Sequence, residues 1–356
     1  MQSSSILNTW NQRPLIISGP CSAETEEQVL FTAQRLVATK KVHLLRAGIW
    51  KPRTRPGQFE GIGAAALPWM VKAKELTGLP YTVEVASAKQ LEEALQFGVD
   101  VIWIGARTTA NPFSVQEIAN ALQGIDIPVL IKNPINPDID LWTGAIERFE
   151  KAGVRKMGLI HRGFSSYGNS AYRNAPMWHL AIEMKRRYPN MMLLCDPSHI
   201  CGRRDILLEV SQTSIDLDYD GLMIESHIDP DNAWSDANQQ VTPEALAILL
   251  DQITWRKEGI ENEALHTAIE NLRQQINQLD DELLQILAKR MKLADQIGTC
   301  KKENNITILQ TERWIEILNR ALANGRDLGL SKEFIIKYFD AVHMESISHQ
   351  NKIMNS

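Results

Sequence analysis

Between Leu15 and His227 short apolar runs, most of them rich in β-branched residues, alternate with longer stretches of helical periodicity. The runs are LIISGP (15–20), VHLLRAG (42–48), PYTVEVAS (80–87), VDVIWIGA (99–106), PVLIKNP (128–134), VRKMGLIHRG (154–163), MMLLCDPSH (191–199) and GLMIESH (221–227). The stretches between them include EEQVLFTAQRLVAT, AKQLEEALQFG and MWHLAIEMKRRY. Near-continuous apolar strands alternating with helices predict a parallel sheet covered on both faces. Eight such units in roughly 250 residues match the size of a (β/α)8 TIM barrel, with a doubly wound open sheet as the competing architecture. Thr242-Pro243 reads as the capped start of a last barrel helix. The pattern then changes. RKEGIENE (256–263) is polar and reads as a linker, and beyond it only helical patterns remain, at about 262–303, 311–324 and 331–352. The expected organisation is a barrel over 1–255, a linker over 256–263 and an all-α three-helix domain over 264–356.

Polar residues cluster where the strands end: Cys21, Arg46 with Lys51, Glu84, Arg107, Lys132, His161 with Arg162, Asp196 with His199, and Glu225. A barrel gathers all strand C-termini on one face, whereas an open sheet leaves its outer strand ends far from the crevice. Polar endings on all eight runs therefore favour closure. After the second run, the loop to Gly61 also carries Arg53 and Arg55, held in irregular shape by Pro52, Pro56 and three glycines.

Bulk composition narrows the classes. A net charge of -5 and pI near 6.0 argue against a nucleic-acid partner. Four cysteines are too few for a disulfide framework, and neither a signal peptide nor a membrane span is legible, so a cytoplasmic protein is expected. Cys21, His199, Glu225 and Asp236 together offer a thiolate, an imidazole and two carboxylates. That set suits a divalent transition ion such as Mn, Fe, Co or Zn. Spacing alone leaves open an inert buried cysteine and a satisfied core histidine. Arg46, Lys51, Arg107, Lys132 and Arg162 converge on the same face, which calls for a substrate with several negative charges.

The first C-terminal helix would be about 60 Å long, too long for one small domain to cover. Its apolar residues step by threes and fours through Ile269, Leu272, Ile276, Leu279, Leu283, Ile286, Leu293 and Ile297. Arg290 falls within that seam, where a charge is costly unless paired. Lys301 shares its face within about 20°, whereas Arg273 points about 100° away. An anion site built by more than one helix, from two subunits, is expected.

Taken together, GPCS (19–22), LRAGIWKPRTRPGQFEG (45–61), IGAR (104–107), IKNP (131–134), HRG (161–163), DPSH (196–199), IESH (224–227) and SDANQ (235–239) closely resemble 3-deoxy-D-arabino-heptulosonate-7-phosphate (DAHP) synthase of the type I beta subgroup, over residues 12–255. The related 3-deoxy-D-manno-octulosonate-8-phosphate synthases are the alternative. They have a KANRSS-like sequence where Lys51-Pro52-Arg53-Thr54 stands here. The resemblance implies condensation of phosphoenolpyruvate with erythrose 4-phosphate at the head of the shikimate pathway. It implies that Arg46, Lys51, Arg107, Lys132 and Arg162 hold phosphoenolpyruvate, and that Arg53 and Thr54 bind the sugar phosphate. Cys21, His199, Glu225 and Asp236 would ligate the metal, Mn favoured. Lys51 would donate a proton and Asp196 would orient sugar hydroxyls or the metal shell.

Residues 264–354 resemble the all-helical chorismate mutases through LRQQINQLDDELLQILAKRMKLADQIGTCK (272–301), ERW (312–314) and ESISHQ (345–350). Their pericyclic reaction needs a folded substrate and a stabilised ether oxygen, with no nucleophile. The resemblance implies an intertwined dimer in which Arg290 and Arg273 of the partner subunit grip carboxylates. Lys301 and Gln350 would donate to the ether oxygen, with Arg313 and Ser346 lining the pocket. Gln310 and Trp314 stand where the family has acids, and Glu312 is a possible substitute. A non-catalytic dimerising or sensing tail is therefore the alternative for this domain. Fusion of an early with a late pathway step also suggests feedback by prephenate through the tail.

Overall fold

The computed structural model describes residues 9–53, 56–168, 171–256, 259 and 262–355. All eight apolar runs become strands: β1 (Leu15–Gly19), β2 (Leu44–Ala47), β3 (Tyr81–Val85), β4 (Val101–Ile104), β5 (Val129–Lys132), β6 (Met157–His161), β7 (Met192–Cys195) and β8 (Gly221–Glu225). Each pairs in parallel with the next, and β8 pairs with β1 from Leu15↔Gly221 to Gly19↔Glu225, closing the barrel. The open-sheet alternative is thereby excluded. Among the described residues ten α-helices belong to this part of the chain: α1 (Glu26–Ala38), α2 (Leu67–Thr77), α3 (Ala88–Gln96), α4 (Ala106–Thr109), α5 (Pro112–Ala121), α6 (Ile139–Lys151), α7 (Trp178–Arg187), α8 (Pro197–Cys201), α9 (Leu207–Asp216) and α10 (Pro243–Gln252). Thr242 caps α10 as its sequence predicts, its side chain accepting from Ala245 N.

Strand side chains alternate between two cores. One set packs outward against the helices, and a smaller set fills the barrel interior, including Leu44, Leu130, Ile160, Leu194 and Met223. Two residues further along each of these strands stand Arg46, Lys132, Arg162, Asp196 and Glu225. The alternation that fills the barrel therefore also aims these charged groups at its C-terminal mouth.

The chain divides into two compact units, Met1–Glu258 and Gly259–Ser356. The second consists of α11 (Glu263–Glu303), α12 (Thr311–Asp327) and α13 (Lys332–Met354). Asn262 caps α11 and Ser331 caps α13. The expected apolar seam of α11 differs in outcome. Leu272, Ile276, Leu279, Leu283, Ile286, Leu293 and Ile297 are all exposed in the single chain. The buried face of α11 is instead Met291, Ala294, Gly298 and Lys301, which packs on α13. Small residues at 294 and 298 allow that close approach: a Cβ on Gly298 would meet Gln350 Cα at 3.1 Å. Among the described residues no helix is long and apolar enough to cross a membrane.

Candidate functional site

At the barrel mouth, ligand atoms of Cys21, Glu225 and Asp236 lie within 4.8 Å of one another. His199 joins them from α8, its Nε2 3.7 Å from Glu225 Oε1. Its Nδ1 lies 2.8 Å from Asp196 Oδ2, an orientation that turns Nε2 toward the cluster. Glu225 Oε1 is buried and makes no hydrogen bond among the described residues, although Arg46 Nη2 is 3.2 Å away. Burial, reinforced by the Glu225 carboxylate, pushes the Cys21 thiol up to about 12. The protonated thiol donates to Asp236 Oδ2 at 3.1 Å. Burial opposes ionisation of Asp236, but Arg173 and Lys51 hold its carboxyl below the usual range. Two carboxylates and a thiol around one point, with the His199 imidazole beside Glu225 but outside that common radius, suit a divalent transition ion, which would ionise the thiol on binding.

Loops distant in sequence hold this cluster together. Cys21 N donates to Gln240 Oε1 at 2.9 Å, and the Ser22 and Ser235 hydroxyls are 2.5 Å apart. Glu24 Oε1 accepts from Trp234 N at 2.8 Å, and its other oxygen lies 3.3 Å from His227 Nε2. His227 Nδ1 accepts from Asp229 N, so the proton of a neutral ring sits on Nε2. These ties join the loop after β1 to the loop after β8, where Asp236 adopts a left-handed φ of 51°.

The predicted cations surround the same cluster. Lys51 Nζ lies 2.5 Å from Cys21 Sγ and 3.0 Å from Cys21 O. Arg46 is almost wholly buried, and among the described residues its Nε and Nη1 have no hydrogen-bond partner. Lys132 pairs with Asp196 at 2.6 Å. Arg162 Nη1 donates to Asn174 Oδ1 at 2.8 Å, and burial lowers its guanidinium to about 10 despite Asp196. Arg107 is also lowered, by burial first and then by the charges of Arg53 and Arg173. Arg53 Nε donates to Phe59 O at 2.8 Å. Thr54 and Arg55 lie outside the described residues. A group of arginines that depress one another marks a place for an anion.

One strand-end residue leaves the site. His161 points into the outer core, donating Nε2–H to Pro176 O at 2.6 Å and accepting from Tyr219 Oη at 2.9 Å. Residue alternation puts its neighbour Arg162 inside and His161 outside. Sequence reasoning missed Arg173, which holds Asp236 at 2.9 Å, and Gln239, which donates to Glu225 Oε2 at 2.7 Å. Arg173 lies in a loop and Gln239 ends a three-residue 3-10 turn, Ala237–Gln239, both too short or irregular for a period to signal a direction.

In the helical unit, Arg290 Nη1 donates to Ser346 Oγ and approaches Val342 O at 3.5 Å. Lys301 Nζ donates to Ile308 O at 2.5 Å. Gln350 is buried against Gly298, with its Oε1 unpartnered. These four side chains form a line along the α11–α13 contact. Arg273 is not part of it; it is exposed and pairs with Glu270 at 2.5 Å. Arg313 is likewise apart, exposed and paired with Glu316 at 2.6 Å. Trp314 stacks on His343 with centroids 4.2 Å apart. Gln310 precedes α12 without a side-chain capping bond, and Glu312 is exposed.

Two family models match successive parts of the chain. Residues 1–259 match the model of the DAHP synthetase I family, and residues 272–351 match chorismate mutase type II. Phospho-2-dehydro-3-deoxyheptonate aldolase of Thermotoga maritima is 31% identical over 238 residues, covering 67% of this chain and 68% of its own. Its crystal structure superposes with a TM-score of 0.61 at 29% identity, over 68% of each chain. The T-protein of Haemophilus influenzae is 32% identical over 85 residues, 24% of this chain and 22% of that protein. The 2-dehydro-3-deoxyphosphooctonate aldolase of Geobacter metallireducens is 26% identical over 260 residues, 68% of this chain and 92% of its own.

Proposed function

We propose a division of two reactions, because the chain belongs to the DAHP synthetase I family and carries a chorismate mutase type II domain. The barrel condenses phosphoenolpyruvate with erythrose 4-phosphate, consuming one water, to DAHP and phosphate, and the helical unit rearranges chorismate to prephenate. What carries the first assignment to this chain's residues is Arg46, whose buried Nε and Nη1 lack partners among the described residues beside an anionic donor cluster. An uncompensated buried donor is costly, and an anionic substrate oxygen would satisfy it.

Arg46, Lys51, Arg107, Lys132 and Arg162 would hold the carboxylate and phosphate of phosphoenolpyruvate. Arg53 and Thr54 would take the phosphate of the sugar. Cys21, His199, Glu225 and Asp236 would hold a divalent ion, for which we favour Mn²⁺; the family is generally metal-dependent. When bound, that ion supplies a Lewis acid for the aldehyde carbonyl. Lys51 carries the proton that the aldehyde oxygen takes up as it becomes a hydroxyl. Asp196 orients His199 from behind and anchors Lys132, so it acts on both halves of the site.

The octulosonate alternative differs in its sugar. Lys51-Pro52-Arg53 favours the four-carbon substrate, and phosphoenolpyruvate consumption measured with erythrose 4-phosphate against arabinose 5-phosphate decides it. Faster turnover with arabinose 5-phosphate would sink the reading.

In the helical unit, Arg290 would grip a carboxylate, with Ser346 beside it in the pocket. Lys301 and Gln350 would stabilise the ether oxygen as charge develops. Arg273 would come from the partner subunit, and Arg313 would reach the substrate only on releasing Glu316. The non-catalytic alternative draws on Trp314 and Gln310 standing where acids are expected. Prephenate would also bind here and slow the barrel, so it should lower the synthase rate of the intact chain. An unchanged rate at saturating prephenate rejects that control. Free thiols at all four cysteines suit a reducing cytoplasm.

A further inference from the structure

Trp103 stands next to last in β4, fully buried in the barrel interior. Its ring is shared by two cations. The guanidinium carbon of Arg46 lies 4.9 Å from the ring centroid, and Lys132 Nζ lies 5.9 Å from it. Both are within reach of the attraction between a cation and an aromatic face. The indole is itself fixed, because Nε1–H donates to Glu84 Oε2 at 3.2 Å. The other oxygen of Glu84 occupies the space that a side chain at position 105 would fill, which the glycine there leaves open. Gly105, Glu84 and Trp103 thus form a stack beneath the two cations.

A buried guanidinium needs compensating charge. A carboxylate supplies it by accepting N–H bonds, and each such bond removes a donor from the substrate. An aromatic face attracts the cation without accepting its in-plane N–H groups. Arg46 shows the consequence, with Nη2 directed to Glu225 and Cys21 while Nε and Nη1 stay unpartnered.

We propose that Trp103 is a positioning residue for phosphoenolpyruvate, holding Arg46 and Lys132 in place while leaving Arg46 Nε and Nη1, and the Lys132 N–H groups not given to Asp196, for the substrate's anionic oxygens. The inference rests on the reading of the barrel as a phosphoenolpyruvate site. It separates Trp103 from the groups that serve the sugar or the metal.

The test compares W103F, which keeps an aromatic face but loses the bond to Glu84, with W103L, which removes the face. In the full-length protein loaded with Mn²⁺, W103L should raise KM for phosphoenolpyruvate about 5- to 30-fold. W103F should raise it about 2- to 5-fold, and in both KM for erythrose 4-phosphate should stay within about twofold. Mn²⁺ affinity of the metal-free protein, titrated in parallel, should be unchanged. An unchanged KM for phosphoenolpyruvate in the variants overturns the proposal. So does a joint rise of both KM values with weakened Mn²⁺ binding, which would mean general loosening. If W103L does not fold, W103F with E84Q, which weakens the acceptor and keeps the indole, decides by the same criteria. Wild-type protein that fails to consume phosphoenolpyruvate would sink the functional reading itself, a result distinct from unaltered variants of an active enzyme.

Discussion

His161 and Arg162 are chain neighbours with opposite fates. Arg162 enters the barrel mouth, while His161 is locked among Pro176, Tyr219 and Trp178 outside it. Burial lowers the His161 pKa to about 4, with the Arg162 charge adding to the effect and the Pro176 carbonyl opposing it. The folded value lies below the unfolded one, so between pH about 6.5 and 4 the unfolded chain binds the extra proton. Stability from this group is full above that window and falls as pH drops through it, by about 2 kcal/mol at pH 5. The barrel transition of H161Q in urea should therefore lose less between pH 7 and 5 than that of wild type. Parallel losses would show that another group carries the acid sensitivity. The sequence could have separated the two residues, since stepping by two from Ile160 reaches Arg162 and skips His161. Glu24, His227 and Trp103 were not legible as supports. Their roles depend on partners brought near only by barrel closure, such as Trp234, which is 210 residues from Glu24.

At the scale of elements, strands read more faithfully than the long helix. Each barrel strand is buried on both faces, so its apolar run needs no knowledge of what covers it. In α11 an apolar row shows only that something covers it. Within the chain α13 covers a different face, built on Met291, Ala294, Gly298 and Lys301. The spacing of Arg290 and Lys301 nevertheless survived, because eleven residues bring a helix back to nearly the same direction. Two kinds of substitution probe this element. R290A should lower mutase kcat by about 10²-fold or more, as loss of a fixed donor to developing or bound charge does. G298V should also lower it, because the added methyls meet Gln350, whose Cα and Cγ lie only 3.1 and 3.3 Å from where a Cβ at 298 would stand. Synthase turnover should be retained in both, since the barrel is a separate compact unit. Full mutase activity in R290A would remove Arg290 from the pocket, whereas a wild-type chain without mutase turnover would favour the non-catalytic tail.

For the whole molecule, the unsettled surface is the first half of α11. Leu272, Ile276, Leu279, Leu283 and Ile286 follow the 4-3-4-3 spacing of a coiled-coil seam, and each is between 42% and 63% exposed. A row of this kind on one side of a long helix is what a second copy of the same helix covers. Arg273 lies next to this row, with Glu270 as its partner, while Arg290 and Lys301 wait further along. Pairing through the row would bring one subunit's Arg273 toward the other subunit's pocket, which a single chain leaves without it. L279D places an unpaired carboxylate in the middle of the row, at a cost that buried unpaired charge sets at several kcal/mol. Sedimentation should then show a smaller assembly than wild type, and mutase activity should fall together with mass. The barrel site as proposed draws on one chain alone, so its chemistry should persist at low protein concentration. If L279D keeps both the wild-type mass and the wild-type mutase rate, the row has another occupant and Arg273 acts from elsewhere. If mass falls while mutase turnover stays, the pocket is complete within one chain and the shared-arginine reading is wrong.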